Sequence, residues 1–213
     1  MLRSFLFTAC SAATISLSLT GCQQAQDAKN AYSAVVTTTK AAKEMANGLE
    51  AAQAKQATRR QQGDTLAINY KELQKYLPAS AEGYATEGGP AGQSMNMGGM
   101  HLSTAEQNYK KGDQTLKVSL VDYNSAAPLF MAATAMMNSG REMEDDNQLT
   151  RGLDLKQDGV KGMETLDKQS HKATVVLGIS DRFLATVEAS GQNDTELVKS
   201  VAKSLNLSEL AKK

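Results

Sequence analysis

Alternation of apolar and polar residues with a period of two is the sequence feature that most constrains this fold. Leu116, Val118 and Leu120 alternate with mostly polar neighbours, and they follow the turn sequence Lys111-Gly112-Asp113-Gln114. Such alternation buries one face of a strand, and a short Gly-Asp turn joins two strands into a hairpin. The pattern therefore predicts a mainly antiparallel sheet.

The same reading places further strands and helices along the chain. Further strands are predicted at residues 149–155, 160–166, 173–179 and 183–189. Helices are predicted at residues 70–77, from about 124 to 139, and from about 196 to 205. Asn69 and either Asn124 or Ser125 are the predicted N-caps, whereas residues 83–92, with four Gly and one Pro, predict strand edges joined by loops. We expect an α+β fold with the helices packed on one side of the sheet.

The first 21 residues have the anatomy of a secretory signal peptide. Arg3 supplies a positive start, and an apolar stretch diluted by Ser and Thr runs from Phe5 to Leu19. The stretch is too short and too polar for a membrane span of about 20 apolar residues. An ordinary buried N-terminal helix is the alternative, and it leaves the motif that follows unexplained.

That motif, Leu19-Thr20-Gly21-Cys22, resembles the bacterial lipobox. The resemblance implies a diacylglycerol on the thiol of Cys22, cleavage before Cys22, and acylation of the new amino terminus with a fatty acid such as palmitate. Two or three acyl chains hold a protein stably on a bilayer, whereas one is marginal. In a Gram-negative cell, Gln23 rather than Asp after the cysteine indicates the outer membrane. We therefore expect a lipid-anchored envelope protein facing the periplasm, whose mature chain has no disulfide because Cys10 leaves with the signal peptide.

Residues 22–63 read as a lipidated N-terminus followed by a helical stalk rich in Ala, Gln, Lys and Thr. Tyr32, Val35, Ala42 and Leu49 fall on one helical face, which is thin in large apolar side chains. A stalk that spaces the domain from the membrane is one interpretation, and a small-residue seam for a partner helix or a second copy is the other. The predicted division is a signal peptide at 1–21, the stalk at 22–63 and an α+β domain at 64–213.

Several short motifs carry a resemblance at the level of the domain. They are Leu77-Pro78, Gly83-Tyr84, Ser103 to Tyr109 with Gly112-Asp113, Val118 to Asp122, Gly162 to Thr165, Arg182-Phe183 and Leu205 to Leu210. With them, residues 66–210 resemble an uncharacterised family of exported bacterial proteins, and the layout is loosely similar to the Mog1/PsbP-like fold. The resemblance implies a fold and an exported location, and it carries no catalytic residue.

Charge and motif content exclude or disfavour two classes of function. The chain has 23 Lys and Arg against 23 Asp and Glu, so it lacks the basic surface with which nucleic-acid-binding proteins displace counterions. The only histidines, His101 and His171, are not spaced as a metal-binding pair, and no nucleophile elbow or phosphate loop is present. We expect no enzyme, no nucleic-acid partner and no catalytic residue, but a binding or structural module with a protein partner or self-association.

One cluster supports an alternative function. Met95, Met97, Met100 and His101 bring three thioethers and one imidazole into seven residues, a ligand set that suits Cu(I) or Ag(I). The competing interpretation is a strand and a glycine turn at Gly98-Gly99 whose methionines only fill gaps in packing. A periplasmic protein that binds a soft metal or a small ligand is therefore the second functional hypothesis.

Overall fold

In a computed structural model, which describes residues 43, 46–139 and 142–213, the alternating segments form β-strands. The predicted signal peptide, Cys22 and the first part of the predicted stalk lie outside the described residues. All the described residues belong to one compact unit, residues 41–213.

The unit is built on an eight-stranded antiparallel sheet, which confirms the predicted α+β class. The strands are β1 (Ala85–Met97), β2 (Met100–Lys111), β3 (Gln114–Asp122), β4 (Met143–Glu144), β5 (Gln148–Leu153), β6 (Val160–Asp167), β7 (Lys172–Ile179) and β8 (Phe183–Ala189). Their order across the sheet is β1-β2-β3-β8-β7-β6-β5-β4. Two meanders of hairpins, β1–β3 and β4–β8, therefore meet where β3 pairs with β8.

Five helices accompany the sheet in the described part of the chain. They are α1 (residues 46–61), α2 (Tyr70–Leu73, continued by a 3-10 turn at Gln74–Tyr76), α3 (Ala127–Thr134, continued by a 3-10 turn at Ala135–Ser139), α4 (Glu196–Ser204) and α5 (Leu207–Ala211). None of these helices is both long and apolar enough to cross a membrane.

The main core lies on the face of the sheet that α2, α4 and α5 cover. Every second residue of β3, β7 and β8 points into it, so Val118, Val175 and Val187 are fully buried. Val198 and Val201 of α4 are also fully buried against this face. The period-two pattern of the sequence is thus the pattern of burial on one side of the sheet.

A second, smaller cluster lies on the opposite face, so the predicted one-sided placement of the domain helices is wrong for α3. Gly178 sits between the core residues Leu177 and Ile179 and therefore faces the other way. A Cβ atom on Gly178 would meet Phe130 Cζ and a methyl carbon of Thr134, each at 3.2 Å. Because Gly178 has no side chain, α3 packs directly on the strand there.

Helix α1 falls in the second part of the predicted stalk, and its residue Ala52 packs on the domain. Ala52 is only 1% exposed and belongs to the second cluster with Phe130 and Met131. The compact unit of residues 41–213 includes α1. Small alanine side chains allow α1 to approach α3 closely, which sequence periodicity alone does not reveal.

Two local predictions have different outcomes. Asn69 caps α2 as expected, since its Oδ1 accepts from the backbone N–H of Lys71 at 3.0 Å. Ala126 is the N-cap of α3 and makes no side-chain cap, so the capping role predicted for Asn124 or Ser125 is wrong. Both side chains are engaged elsewhere: the Nδ2 of Asn124 donates to Asp64, and the Oγ of Ser125 accepts from the backbone N–H of His101.

The glycine-rich passage also differs from expectation, because β1 continues through it. The pairing of β1 with β2 shifts register between Glu87 and Ala91, which marks a bulge at Gly88, Gly89 and Pro90. Proline and glycine are tolerated there because β1 is an edge strand.

Candidate functional site

A cavity of about 290 Å³ lies between α1, α3 and the adjoining ends of β6 and β7; it is called the α1 cavity below. Among the described residues, its apolar side chains come from α1, from α3 with its 3-10 turn, and from β6, and are Ala51, Phe130, Met131, Met137 and Val160. Three glycines, Gly48, Gly159 and Gly178, complete the walls. Its volume is at the lower end of the range found for small-molecule sites.

The interior of the α1 cavity is apolar in character. Phe130 and Met131 are 3% and 6% exposed, and both belong to the second hydrophobic cluster. The hydroxyl of Thr134 donates to the backbone carbonyl of Phe130 at 2.9 Å, so its hydrogen bond is satisfied within α3. A carboxylate of a ligand placed deep in the cavity would lose its water without gaining a side-chain hydrogen-bond donor from Phe130, Met131 or Thr134.

Charged groups lie at the rim of the cavity. The Nζ of Lys55 on α1 donates to Oδ2 of Asp181 at 2.5 Å, and Lys161 of β6 also lines the cavity. The side chains of Lys55 and Asp181 are 56% and 31% exposed. Asp181 stands in the tight β7–β8 turn with a left-handed φ of 53°, which places its carboxylate opposite α1.

Beside the cavity, a buried ion pair connects β3 with the start of β8. Arg182 donates from Nε and Nη2 to the two carboxylate oxygens of Asp122 at 2.9 and 2.8 Å. A third bond runs from its Nη1 to Asp64 at 2.7 Å. Burial lowers the pKa of Arg182, but the hydrogen bonds and charges of Asp122 and Asp64 outweigh this, so its pKa is raised above the ordinary value. Asp122 is fully buried, so this ion pair is shielded from solvent.

Asn124 attaches the end of α1 to this ion pair. Its Oδ1 accepts from Arg59 Nε and its Nδ2 donates to Asp64 Oδ1, each at 2.7 Å. The pKa of Arg59 is lowered by burial and by the nearby charge of Arg182. These groups bond mainly to one another, so the arrangement holds α1 in place and presents no reactive group to the cavity.

A second buried carboxylate, Glu164, lies under α4, on the face of the sheet that holds the main core. Its Oε1 accepts from Arg151 Nε at 2.5 Å, and its Oε2 accepts from the hydroxyl of Thr195. Burial raises the pKa of Glu164, but the bonds from Thr195 and Arg151 and the charge of Lys199 outweigh this, so the net shift is downward. Glu164 is 3% exposed and does not line the α1 cavity, so we assign it a role in stability.

The four residues of the predicted soft-metal cluster all fall on the β1–β2 hairpin. Backbone pairing sets Met97 opposite Met100 and Met95 opposite Leu102. Met95 and Met100 therefore share one face, whereas His101 alternates with Met100 and points to the other. The hairpin thus gathers methionine positions and separates the imidazole from them.

Neither histidine lines the α1 cavity. His101 is half-buried on the hairpin, and His171 is exposed in the turn before β7, at the opposite end of that strand from Gly178. Over the described ranges 43, 46–139 and 142–213, no three His, Cys, Asp or Glu side chains are grouped as a metal site.

No protein family, no curated protein and no solved structure with which the chain was compared matches it. The sequence also contained no motif for the α1 cavity, because Lys55, Phe130 and Asp181 come from distant segments. The one local signal is Gly178, a glycine that interrupts the β-branched and leucine residues of β7 at the point where α3 approaches.

Proposed function

We propose that this protein is a non-catalytic, lipid-anchored envelope protein whose α+β domain binds a small apolar ligand. The observation that carries the binding role is the α1 cavity, with its apolar interior and its charged rim. Its apolar walls, among them Phe130 and Met131, are suited to holding an apolar molecule, so binding is the role proposed for this site.

The anchor rests on the lipobox-like motif that ends at Cys22. With diacylglycerol on Cys22, the bilayer is the first partner, and Gln23 favours the outer membrane with the domain in the periplasm. A protein partner or a second copy of the chain is a further proposed contact. Because acidic and basic residues nearly balance, we expect the acyl chains, and not a basic surface, to hold the protein on the membrane.

The anchor is tested by Cys22→Ser in the full-length chain, expressed in a Gram-negative host. We expect the wild-type protein in the membrane fraction and the variant without incorporated radiolabelled palmitate. Cys10→Ser is the matched control, because Cys10 lies in the predicted signal peptide and should leave lipidation unchanged. Labelling of the Cys22→Ser variant at the wild-type level would refute the anchor.

The binding role is tested on residues 22–213 carrying Cys22→Ser, which bear no lipid and need no detergent. The probe is N-phenyl-1-naphthylamine, an uncharged dye that fluoresces in apolar surroundings. We expect the dye to bind, and Ala51→Phe to prevent binding by filling the mouth of the α1 cavity. Ala54→Phe is the control, since Ala54 is exposed on the same helix and does not line the cavity. Equal binding by the two variants would contradict the proposal.

A soft-metal site is the second candidate function, and the hairpin register is the observation that favours it. Met95 and Met100 share one face, and the backbone of Met97 pairs with that of Met100. Competition with a Cu(I) chelator tests this site: replacing Met95, Met97 and Met100 with Leu and His101 with Gln should abolish copper uptake. Met143→Leu, at an exposed methionine of β4, is the control. A wild-type protein that takes no copper from the chelator would end this candidate.

A further inference from the structure

Resting on the proposed function, we propose that the α1 cavity takes a medium-chain alkyl carboxylate, with the chain inside and the carboxylate at Lys55. Three features of the cavity lead to this ligand class: its volume, the chemistry of its walls and the charges at its rim.

The volume limits the ligand to a small molecule. An engineered apolar cavity of about 150 Å³ holds benzene, so about twice that volume suits a ligand of roughly 12 non-hydrogen atoms. The α1 cavity has about 290 Å³. Decanoate has a size of this order, whereas a membrane phospholipid is far too large to enter as a whole.

The walls favour a flexible chain. Met131 and Met137 line the cavity, and unbranched thioethers adjust their shape to irregular contents. The hydroxyl of Thr134 already donates its hydrogen within α3, so Phe130, Met131 and Thr134 offer no free side-chain donor to a ligand carboxylate. The polar end of the ligand therefore belongs at the rim.

The rim favours a negative head group. Over the described part of the chain, the charged residues that line the cavity are Lys55, Lys161 and Asp181. Ala51 and Lys55 are four residues apart on α1 and so lie on one face of the helix. A chain that packs along Ala51 brings its head to Lys55, whose ammonium carries several donors and can serve the ligand and Asp181 together.

Displacement of the dye by four compounds tests this inference: decanoate, decan-1-ol, decylamine and butyrate, on residues 22–213 with Cys22→Ser. Decanoate should displace the dye at a concentration about tenfold below that of decan-1-ol, the ratio expected for one charge-assisted contact. Decylamine should be weaker than both, and butyrate should have no effect because its chain is too short. Lys55→Gln should remove the preference for decanoate, whereas Lys43→Gln, at an exposed position on the N-terminal side of α1, should keep it.

The outcomes separate this inference from the proposed function. Equal displacement by decanoate and decan-1-ol, with dye binding still sensitive to Ala51→Phe, would overturn the carboxylate and leave the binding role. A preference for decanoate that survives Lys55→Gln would overturn the assignment of the head group to Lys55. Dye binding that is unchanged by Ala51→Phe would overturn both this inference and the proposed binding role.

Discussion

The two faces of the sheet are covered in different ways. On the first face, α2, α4 and α5 cover strands whose inward residues are almost fully buried, among them Leu177 and Val187. On the second face, α1 and α3 cover one end, and the α1 cavity remains between them. Farther along this face, Ser119, Thr186 and Val176 are only half-buried. From this contrast we infer that the first face contributes most of the stability and that the second face is available for binding.

The contrast has a simple basis in side-chain chemistry. Helix α4 presents Val198, Val201 and Ala202 to the strands, and all three are 0% exposed. Helix α3 instead meets the sheet over Gly178, with flexible methionines around the contact. Branched side chains fill space in few conformations, whereas methionine and glycine leave room for rearrangement. Changes on the two faces should therefore have unequal effects.

The largest loss of stability is expected at the buried ion pair between Arg182 and Asp122. Asp122→Ala removes the partner of two bonds from Arg182, and it leaves a guanidinium that is only 4% exposed. Breaking a buried pair in this way should lower the free energy of unfolding by about 3–5 kcal/mol, measured by urea denaturation. Asp113→Ala, in the exposed β2–β3 turn, is the control. A decrease in the free energy of unfolding below about 1 kcal/mol would mean that solvent reaches the guanidinium of Arg182 and replaces its lost partner.

Next in size is the difference between equivalent truncations on the two faces. Leu177→Ala empties a fully buried position of the first face and should cost about 2–5 kcal/mol. Met137→Ala removes a half-buried side chain that already borders a void, so about 1 kcal/mol or less is expected. Urea denaturation of both variants measures the difference. Equal costs would show that the second face is packed as tightly as the first.

The first face was also the more predictable one from sequence. The alternation at Leu116, Val118 and Leu120 correctly predicted β3, and the strand predicted at residues 183–189 coincides with β8. Both predictions were possible because alternation with a period of two depends only on residues that are adjacent in the sequence. The second face depends on Gly178 meeting Phe130, contacts between segments far apart in the chain.

Polar contacts were missed for a related reason. Asn124 has the local signature of a helix cap, but its side chain lies between Arg59 and Asp64, which are roughly sixty residues away. Local propensity was overridden there by tertiary hydrogen bonds. The α1 cavity was missed likewise, since none of its lining segments is unusual when it is read alone.

A smaller effect, with a defined pH dependence, is expected at Glu164 on the first face. Because its folded pKa lies below the ordinary value of 4.5, its contribution is fully present above about pH 4.5 and is lost as the pH falls through the folded pKa. Glu164→Gln should cost about 1–3 kcal/mol at pH 7 and should flatten the decline of stability below pH 4.5. Chemical denaturation from pH 3 to pH 7 measures both.

The matched control for Glu164 lies on the second face. Glu188 pairs with Lys172 at 3.1 Å, and the two side chains are 36% and 49% exposed. Solvent screens such a pair, so Glu188→Gln should change stability by less than about 1 kcal/mol. A similar loss of stability in Glu164→Gln and Glu188→Gln would contradict the expectation that the buried carboxylate contributes more to stability than the exposed one.

The smallest global effect, and the most informative for the cavity, is expected at Lys55. Its bond to Asp181 is largely exposed, so Lys55→Ala should lower the free energy of unfolding by only about 0.2–1 kcal/mol. Locally the change should be larger, because this bond and the contacts of Gln56 and Arg59 with Asn124 hold α1 on the domain. Amide hydrogen exchange should therefore become faster in residues 46–61 and stay unchanged in Glu196–Ser204 of α4. Faster exchange in both helices alike would show that the two faces unfold as one unit, and α1 would then not open independently to admit a ligand.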